Sequence, residues 1–244
     1  MKKLVVILDN GHGDNTKGKC SPDKRLLEWE WTREIACRLH NLLLENEIEV
    51  QLLVPEDKDV SLSERVKREK KITKEAKKAG KETCLISIHI NAAGGDGKWK
   101  TASGWSGWIA QEASENSKKL AQLLYAEAEA NNLQGNRYVP STKYWTANYT
   151  VCTDTSCPAV LTENLFQDNK EDVEFLLSEE GKQIIKNKVT GTMLAMFLSD
   201  EMLDSLIGPI GNELERFMVE NGAAYLEPEM ELKIKEIESD HEQG

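Results

Sequence analysis

A chain of 244 residues with 39% apolar and 30% charged side chains describes a globular protein with a substantial core, and excludes a disordered or fibrous one. Its apolar runs fall far short of the roughly 20 residues that cross a bilayer, so no membrane span is expected. A net charge of −11 excludes nucleic acid as a general partner. That acidity is local: residues 200–244 carry 13 acidic and 3 basic side chains, whereas residues 1–199 are nearly balanced at 29 and 28. The chain therefore divides into a main body, 1–199, and an acidic helical C-terminal appendage, 200–244. Its five cysteines are odd in number and scattered, which fits reduced thiols better than a disulfide framework.

In chain order, strands are expected at 3–8, 47–54, 83–90, 103–110, 149–153 and 159–163, and helices at 26–46, 61–79, 114–132 and 178–199. This alternation reads as an α/β fold of three layers, a central, mostly parallel (mixed) sheet of about six strands flanked by helices. In such sheets, sites gather beyond the carboxyl ends of strands. The first apolar run stops at Asp9-Asn10-Gly11-His12-Gly13 and carries His12 to that rim; later runs deliver His89 and Glu163 there. Residues 61–79 interleave Lys and Arg with Glu and read as a solvated helix face laced with ion pairs. Trp105 and Trp108 follow soon after His89 and either border the site or fill the core. Beyond 199, Leu203, Ile207, Ile210, Leu214 and Phe217 make a short heptad-like seam. Through 200–221 it can dock back on the main body or pair with a second copy; docking back is the default.

Helix phase separates the two glutamates near the start of the first helix. Glu28 shares a face with Thr32, Ile35, Leu39 and Leu42, whereas Glu30 falls with Glu34, Arg38 and Asn41. Glu28 thus faces the core side, where a lone carboxylate is costly, and it needs a cation or a metal. Two His and one Glu form a familiar catalytic zinc set that leaves a fourth position for water. The chemistry then needs a carboxylate to take and return a proton, and Glu163, at the end of Pro158-Ala159-Val160-Leu161-Thr162, is well placed for it.

These residues come with local sequence. Leu4-Val5-Val6-Ile7-Leu8-Asp9 before Gly11-His12-Gly13, then Leu27-Glu28 with Ile35-Ala36, then Ser87-Ile88-His89-Ile90-Asn91-Ala92, then Pro158-Ala159-Val160-Leu161-Thr162-Glu163, resemble the zinc-dependent N-acetylmuramoyl-L-alanine amidases of the amidase 3 type. The resemblance runs from about Lys3 to Leu198. It implies that His12, Glu28 and His89 hold Zn2+, that Glu163 is the catalytic glutamate, and that the substrate is the peptidoglycan amide between the lactyl group of N-acetylmuramic acid and L-alanine. Leu62, Arg65 and Asn91 are softer matches. Asn10, Asp14, Thr162 and Asn164 depart from the family pattern, so the loop after His12 is expected to have its own shape. Asp9 is expected to cap the turn after the first strand, with orientation of His12 as its other available role. The 74 residues from His89 to Glu163 leave little room for a self-blocking helix, which predicts an open, unregulated cleft.

Asp9 cuts the first apolar run short of the about 7–15 residues of a signal-peptide core. The expectation is cytoplasmic synthesis without a signal peptide, with action on the cell wall after release, as for a phage or prophage endolysin. Two other readings fit the residues: a catalytically silent peptidoglycan-binding relative, and a zinc amidohydrolase or carboxypeptidase acting on small peptides.

Overall fold

The computed structural model describes residues 3–198; the expected seam and appendage beyond 199 lie outside them. The elements run β1 (Lys3–Asn10), α1 (Glu28–Glu45), β2 (Glu49–Leu52), α2 (Leu62–Lys78), β3 (Lys81–Asn91), β4 (Ser106–Ile109), α3 (Glu115–Ala130), β5 (Trp145–Thr146), α4 (Thr150–Thr153), β6 (Ala159–Phe166), α5 (Lys170–Leu177) and α6 (Glu179–Leu198). The six strands form one sheet in the order β2-β1-β3-β6-β4-β5. All neighbours are parallel except β6 and β4, which makes the sheet mixed and mostly parallel, as expected.

Alternation along the strands builds the layers. Val6 and Leu8 of β1, Ile86 and Ile88 of β3 and Val160 of β6 bury one face against Ile35 and Leu39 of α1, Leu120 and Leu124 of α3, Val173 of α5 and Ile185 of α6. Ile7, Leu85 and Ala159 point the other way, toward Leu53, Val54 and Ile72 of α2. Because both faces are covered, β1 and β3 are largely apolar until their carboxyl ends, where polar residues take over; β6, expected to end at Glu163, instead continues through Asn164 to the buried Leu165 and Phe166. Three helices start on side-chain caps: Ser61 Oγ accepts from Glu64 N (3.3 Å), Ser114 Oγ from Ser117 N (3.2 Å), and Asn169 Oδ1 from Glu171 N (2.9 Å).

Two expectations are corrected. Residues 149–153 are not a strand: Thr150–Thr153 form the single helical turn α4, with Val151 buried, and the edge strand is instead β5, where Trp108↔Trp145 and Ile109↔Thr146 pair. The helix expected at 178–199 is preceded by a separate helix, α5. On α2, Lys67 and Arg68 pair with Glu64, and Arg68 also with Glu56. Arg65, by contrast, is buried and turned toward the strand ends. Among the described residues no helix is long and apolar enough to cross a membrane, and none of the five cysteines is in a disulfide.

Candidate metal centre

His12 lies just past β1 in a left-handed backbone conformation, φ 60°, uncommon for a residue other than Gly. Its carbonyl is held by two guanidinium groups: Arg33 Nη2 donates to it at 3.0 Å and Arg65 Nη2 at 3.4 Å. The glycines on either side leave room. A methyl group at Gly11 would lie 2.5 Å from His89 Nδ1 and 2.8 Å from Nε2, and one at Gly13 would overlap the backbone of Asp59. Gly11→Ala is therefore expected to push the His89 ring aside and weaken metal binding about 10- to 100-fold, read by competition with a chelator. Unchanged affinity would show that the ring tolerates the crowding.

Glu28 opens α1, whose N-terminal dipole favours a carboxylate. Its Oε1 is 3.2 Å from His89 Nδ1 and 3.5 Å from His12 Nε2, and accepts from Ile90 N at 3.0 Å. Burial alone would raise the pKa of this carboxyl, but the His89 hydrogen bond and the two imidazoles hold it below the usual range. Burial pushes His12 down to about 4. Burial also acts to lower His89, which the Glu28 hydrogen bond overcomes, leaving it raised. Glu28 is fully buried while Glu30 is exposed, as helix phase indicated. The imidazoles lie edge to face, 5.0 Å between centroids.

One ligand atom from each of His12, Glu28 and His89 lies within 4.8 Å of the others. Glu28 Oε2 is buried and accepts no hydrogen bond. A buried anion beside two imidazoles with a spare oxygen is the donor set a borderline-soft divalent cation such as zinc prefers, so these residues fit a metal.

Glu163 pairs in register with His89 across β3 and β6, which places both side chains on one face of the sheet. Past this pair the register shifts: two steps on β3, from His89 to Asn91, match three on β6, from Glu163 to Phe166, and Leu165 takes φ 63°. This bulge sits one residue beyond the Asn164 that follows the glutamate. Burial, reinforced by the Glu28 charge, pushes the Glu163 carboxyl up to about 7 against the pull of His89, Lys19 and Arg137. Its Oε2 is buried and without a hydrogen-bond partner.

Asp9 fills neither expected role. Its Oδ1 takes Arg65 Nη1 at 2.5 Å and its Oδ2 accepts from Ser87 Oγ at 2.6 Å, in a fully buried ion pair. Arg65 also donates to Asn10 O, Val60 O and Asp59 Oδ1, and so ties the β1 end and the His12 loop to the 59–60 segment. Arg65→Met leaves the buried Asp9 carboxylate without its cation, with only Ser87 Oγ still donating to it, and is expected to cost about 3–5 kcal/mol of stability in urea unfolding. A loss below about 1 kcal/mol would mean that water replaces the guanidinium.

The departures from the family pattern have structural work. Asn164 Nδ2 donates to His89 O at 2.9 Å and its Oδ1 accepts from Trp105 Nε1 at 3.0 Å, while Thr162 Oγ1 donates to Ser87 O at 3.2 Å. Asp14 N donates to Asp57 O, and Lys58 pairs with the Asp14 carboxylate, which gives the loop after His12 a shape fixed by the 57–59 segment. Trp105 is core; Trp108 is on the face of Glu163. Leu62 is exposed, and the Asn91 side chain accepts from Ala92 N. Sequence reasoning missed Arg33, Ser106 and Arg137, which sit in no pattern that sets them apart from other polar residues.

A family model described as N-acetylmuramoyl-L-alanine amidase, of the amidase 3 type, matches residues 6–194. The chain belongs to that family. Among curated amidases it is similar to the N-acetylmuramoyl-L-alanine amidase CwlM of Bacillus licheniformis, 30% identical over 199 residues, covering 80% of this chain and 70% of the relative. It is also similar to the endolysin of Bacillus phage SPP1, 28% identical over 176 residues, covering 72% of this chain and 59% of the endolysin. Of solved structures, an N-acetylmuramoyl-L-alanine amidase from Clostridium difficile 630 shares the amidase fold with a TM-score of 0.67 at 24% identity, covering 82% of this chain and all of that one. The catalytic domain of CwlV from Bacillus (Paenibacillus) polymyxa var. colistinus has the same fold, with a TM-score of 0.64 at 23% identity.

Proposed function

We propose that this amidase-family chain is a zinc hydrolase that cuts the amide between the lactyl group of N-acetylmuramic acid and L-alanine in peptidoglycan. His12, Glu28 and His89 are the zinc ligands in this reading, and Glu163 is the proton carrier. The observation that carries it is the buried Glu28 carboxylate, flanked by two imidazoles with one oxygen unspent. Family membership supplies the substrate class.

The division of labour follows from the geometry. When bound, the metal supplies Lewis-acid polarisation of the scissile carbonyl and lowers the pKa of the attacking water. Glu163, on the same sheet face as His89, takes the proton from that water and returns it to the departing alanine nitrogen. Burial raises its carboxyl to about 7 in the metal-free fold, and a bound cation would favour the carboxylate from there, leaving a base able to take the proton. The Ile90 N–H fixes the Glu28 carboxylate, which in turn holds the His89 ring, and Arg33 and Arg65 fix the His12 backbone. His12 and His89 both keep some solvent exposure, and α3 turns its apolar face into the core, which supports an open approach to the site.

Residues 1–199 act as the catalytic unit in this reading and 200–244 as a separate appendage, a division supported by the family match ending at 194. The similarity to a phage endolysin supports a lytic role on the cell wall. Purified peptidoglycan should gain new L-alanine amino termini when treated with the zinc-loaded protein, and none after chelation. New termini of another residue would overturn the assignment of the bond.

A further inference from the structure

Arg137, in the loop between α3 and β5, is an arginine whose charge the fold leaves unspent. Its guanidinium packs against the rings of Trp145, Phe166 and Trp108, at 4.8, 5.7 and 5.9 Å from their centroids. Nη1 donates to Ser106 Oγ at 2.8 Å, and Trp108 Nε1 donates to the same oxygen at 3.0 Å. Nε is buried and bonds to nothing. No carboxylate among the described residues pairs with Arg137, although burial works against its charge. Such a rigid, aromatic-backed fork with spare donors is costly to maintain without an anion.

The anion is not Glu163. Ser106, which fixes Arg137, faces Glu163 across the antiparallel β4–β6 pair, so the two charges are neighbours and each influences the other. No ion pair forms between them, and Glu163 Oε2 stays free for proton transfer. The order of the sheet then gives the substrate a direction. The candidate metal ligand His89 is on β3, Glu163 on β6, and Ser106 with the Arg137 box on β4 and β5. With the scissile carbonyl at the metal and the leaving nitrogen at Glu163, the leaving peptide extends toward Arg137. The first anionic group it carries there is the free α-carboxylate of its second residue, a glutamate linked through its side chain. Where that group is amidated, the fork meets a neutral amide.

Resting on the amidase reading above, we propose that Arg137 is the residue that binds this carboxylate and selects stems with a free second-residue acid over amidated ones. The charge-assisted fork gives geometric selectivity that a lysine cannot reproduce.

The test compares two soluble muramyl peptides that differ only in acid or amide at that position, using the zinc-loaded full chain, wild type, Arg137→Gln and Arg137→Lys. The wild type is expected to favour the acid about 10- to 100-fold in kcat/KM, mostly through KM, and Arg137→Gln to bring the ratio close to one with zinc content unchanged. Arg137→Lys should recover only part of the preference. A wild type without preference overturns the proposal, as does a variant in which the ratio persists while both rates fall. Calorimetric binding of the product dipeptide, L-alanyl-γ-D-glutamate, to the wild type and Arg137→Gln separates the two readings. If neither muramyl peptide is turned over, the amidase reading fails. The carboxylate site then stands if Arg137→Gln abolishes dipeptide binding, and falls if the wild type does not bind it.

Discussion

Replacing Glu163 with Gln should lower hydrolysis by about 10²- to 10⁴-fold while leaving zinc content and the solvent-facing ligands intact. The amide keeps the shape of the side chain but cannot take the proton from water. Retained activity would move the proton-carrying role elsewhere. A second consequence follows for the metal-free protein. The folded Glu163 carboxyl titrates near 7 rather than near its ordinary 4.5, because it is buried beside Glu28. Its contribution to stability is therefore complete below pH 4.5 and is lost as pH rises through 7, where the buried group must ionise. The Glu163→Gln variant should match the wild type at low pH and become more stable above neutrality, by at most about 3 kcal/mol. Chemical unfolding of both proteins at pH 5 and pH 8 measures the difference; a gap that is constant with pH would show that Glu163 ionises freely. In the loaded enzyme the cation favours the carboxylate, so the acid limb of the rate profile should lie at or below this value.

Glu28→Gln should weaken both forms of the protein. The metal-free fold loses a carboxylate charge that the His89 hydrogen bond and the two imidazoles favour, and should lose stability at neutral pH, with the difference shrinking as pH falls below the ordinary 4.5 of a glutamate. The zinc-bound fold loses a ligand, so affinity should drop by more than the roughly 10- to 100-fold that follows removal of a supporting residue. The zinc-induced rise in Tm should then vanish, since stabilisation by a ligand depends on its affinity. Glu30→Gln, two residues on and on the exposed side of the helix, is the control and should change neither quantity. Equal zinc affinity in the wild type and Glu28→Gln would remove Glu28 from the metal site.

The contrast between Glu28 and Glu30 shows what the sequence makes legible. Helical period is a local property, and four apolar or small partners at the right offsets suffice to place Glu28 on the buried face. The strand ends beside His12 and His89 are equally legible, because apolar runs buried on both faces stop at polar residues, whereas β6 runs past Glu163 to Phe166, since the polar Thr162-Glu163-Asn164 interrupts the strand without ending it. The run 149–153 was misread for a related reason. Its β-branched and aromatic residues favour a strand, but tertiary packing overrides propensity: Val151 is buried, and Cys152 N and Thr153 N both bond back to Tyr149 O. The α5 start was available in Asn169 with Glu171 and Asp172 behind it, a cap and an acidic first turn, yet the run between cap and break is only eight residues.

Partners distant in sequence leave no local mark. Arg65 reaches Asp9 across 56 positions, and Ser87 reaches it across 78. Nothing near Asp9 distinguishes a turn cap from half of a buried ion pair. The Arg137 box likewise draws Trp108, Trp145 and Phe166 from three separate segments.

In the proposed reaction water, with its proton taken by Glu163, attacks the lactyl carbonyl of the muramoyl–alanine amide. Digestion of a muramyl peptide in heavy-oxygen water, read by mass spectrometry of both products, tests it directly. One labelled oxygen should enter the lactyl carboxylate of the sugar fragment, and the released peptide should carry a free L-alanine amino terminus and no label. Label in the peptide fragment, or cleavage within the peptide, would contradict the account.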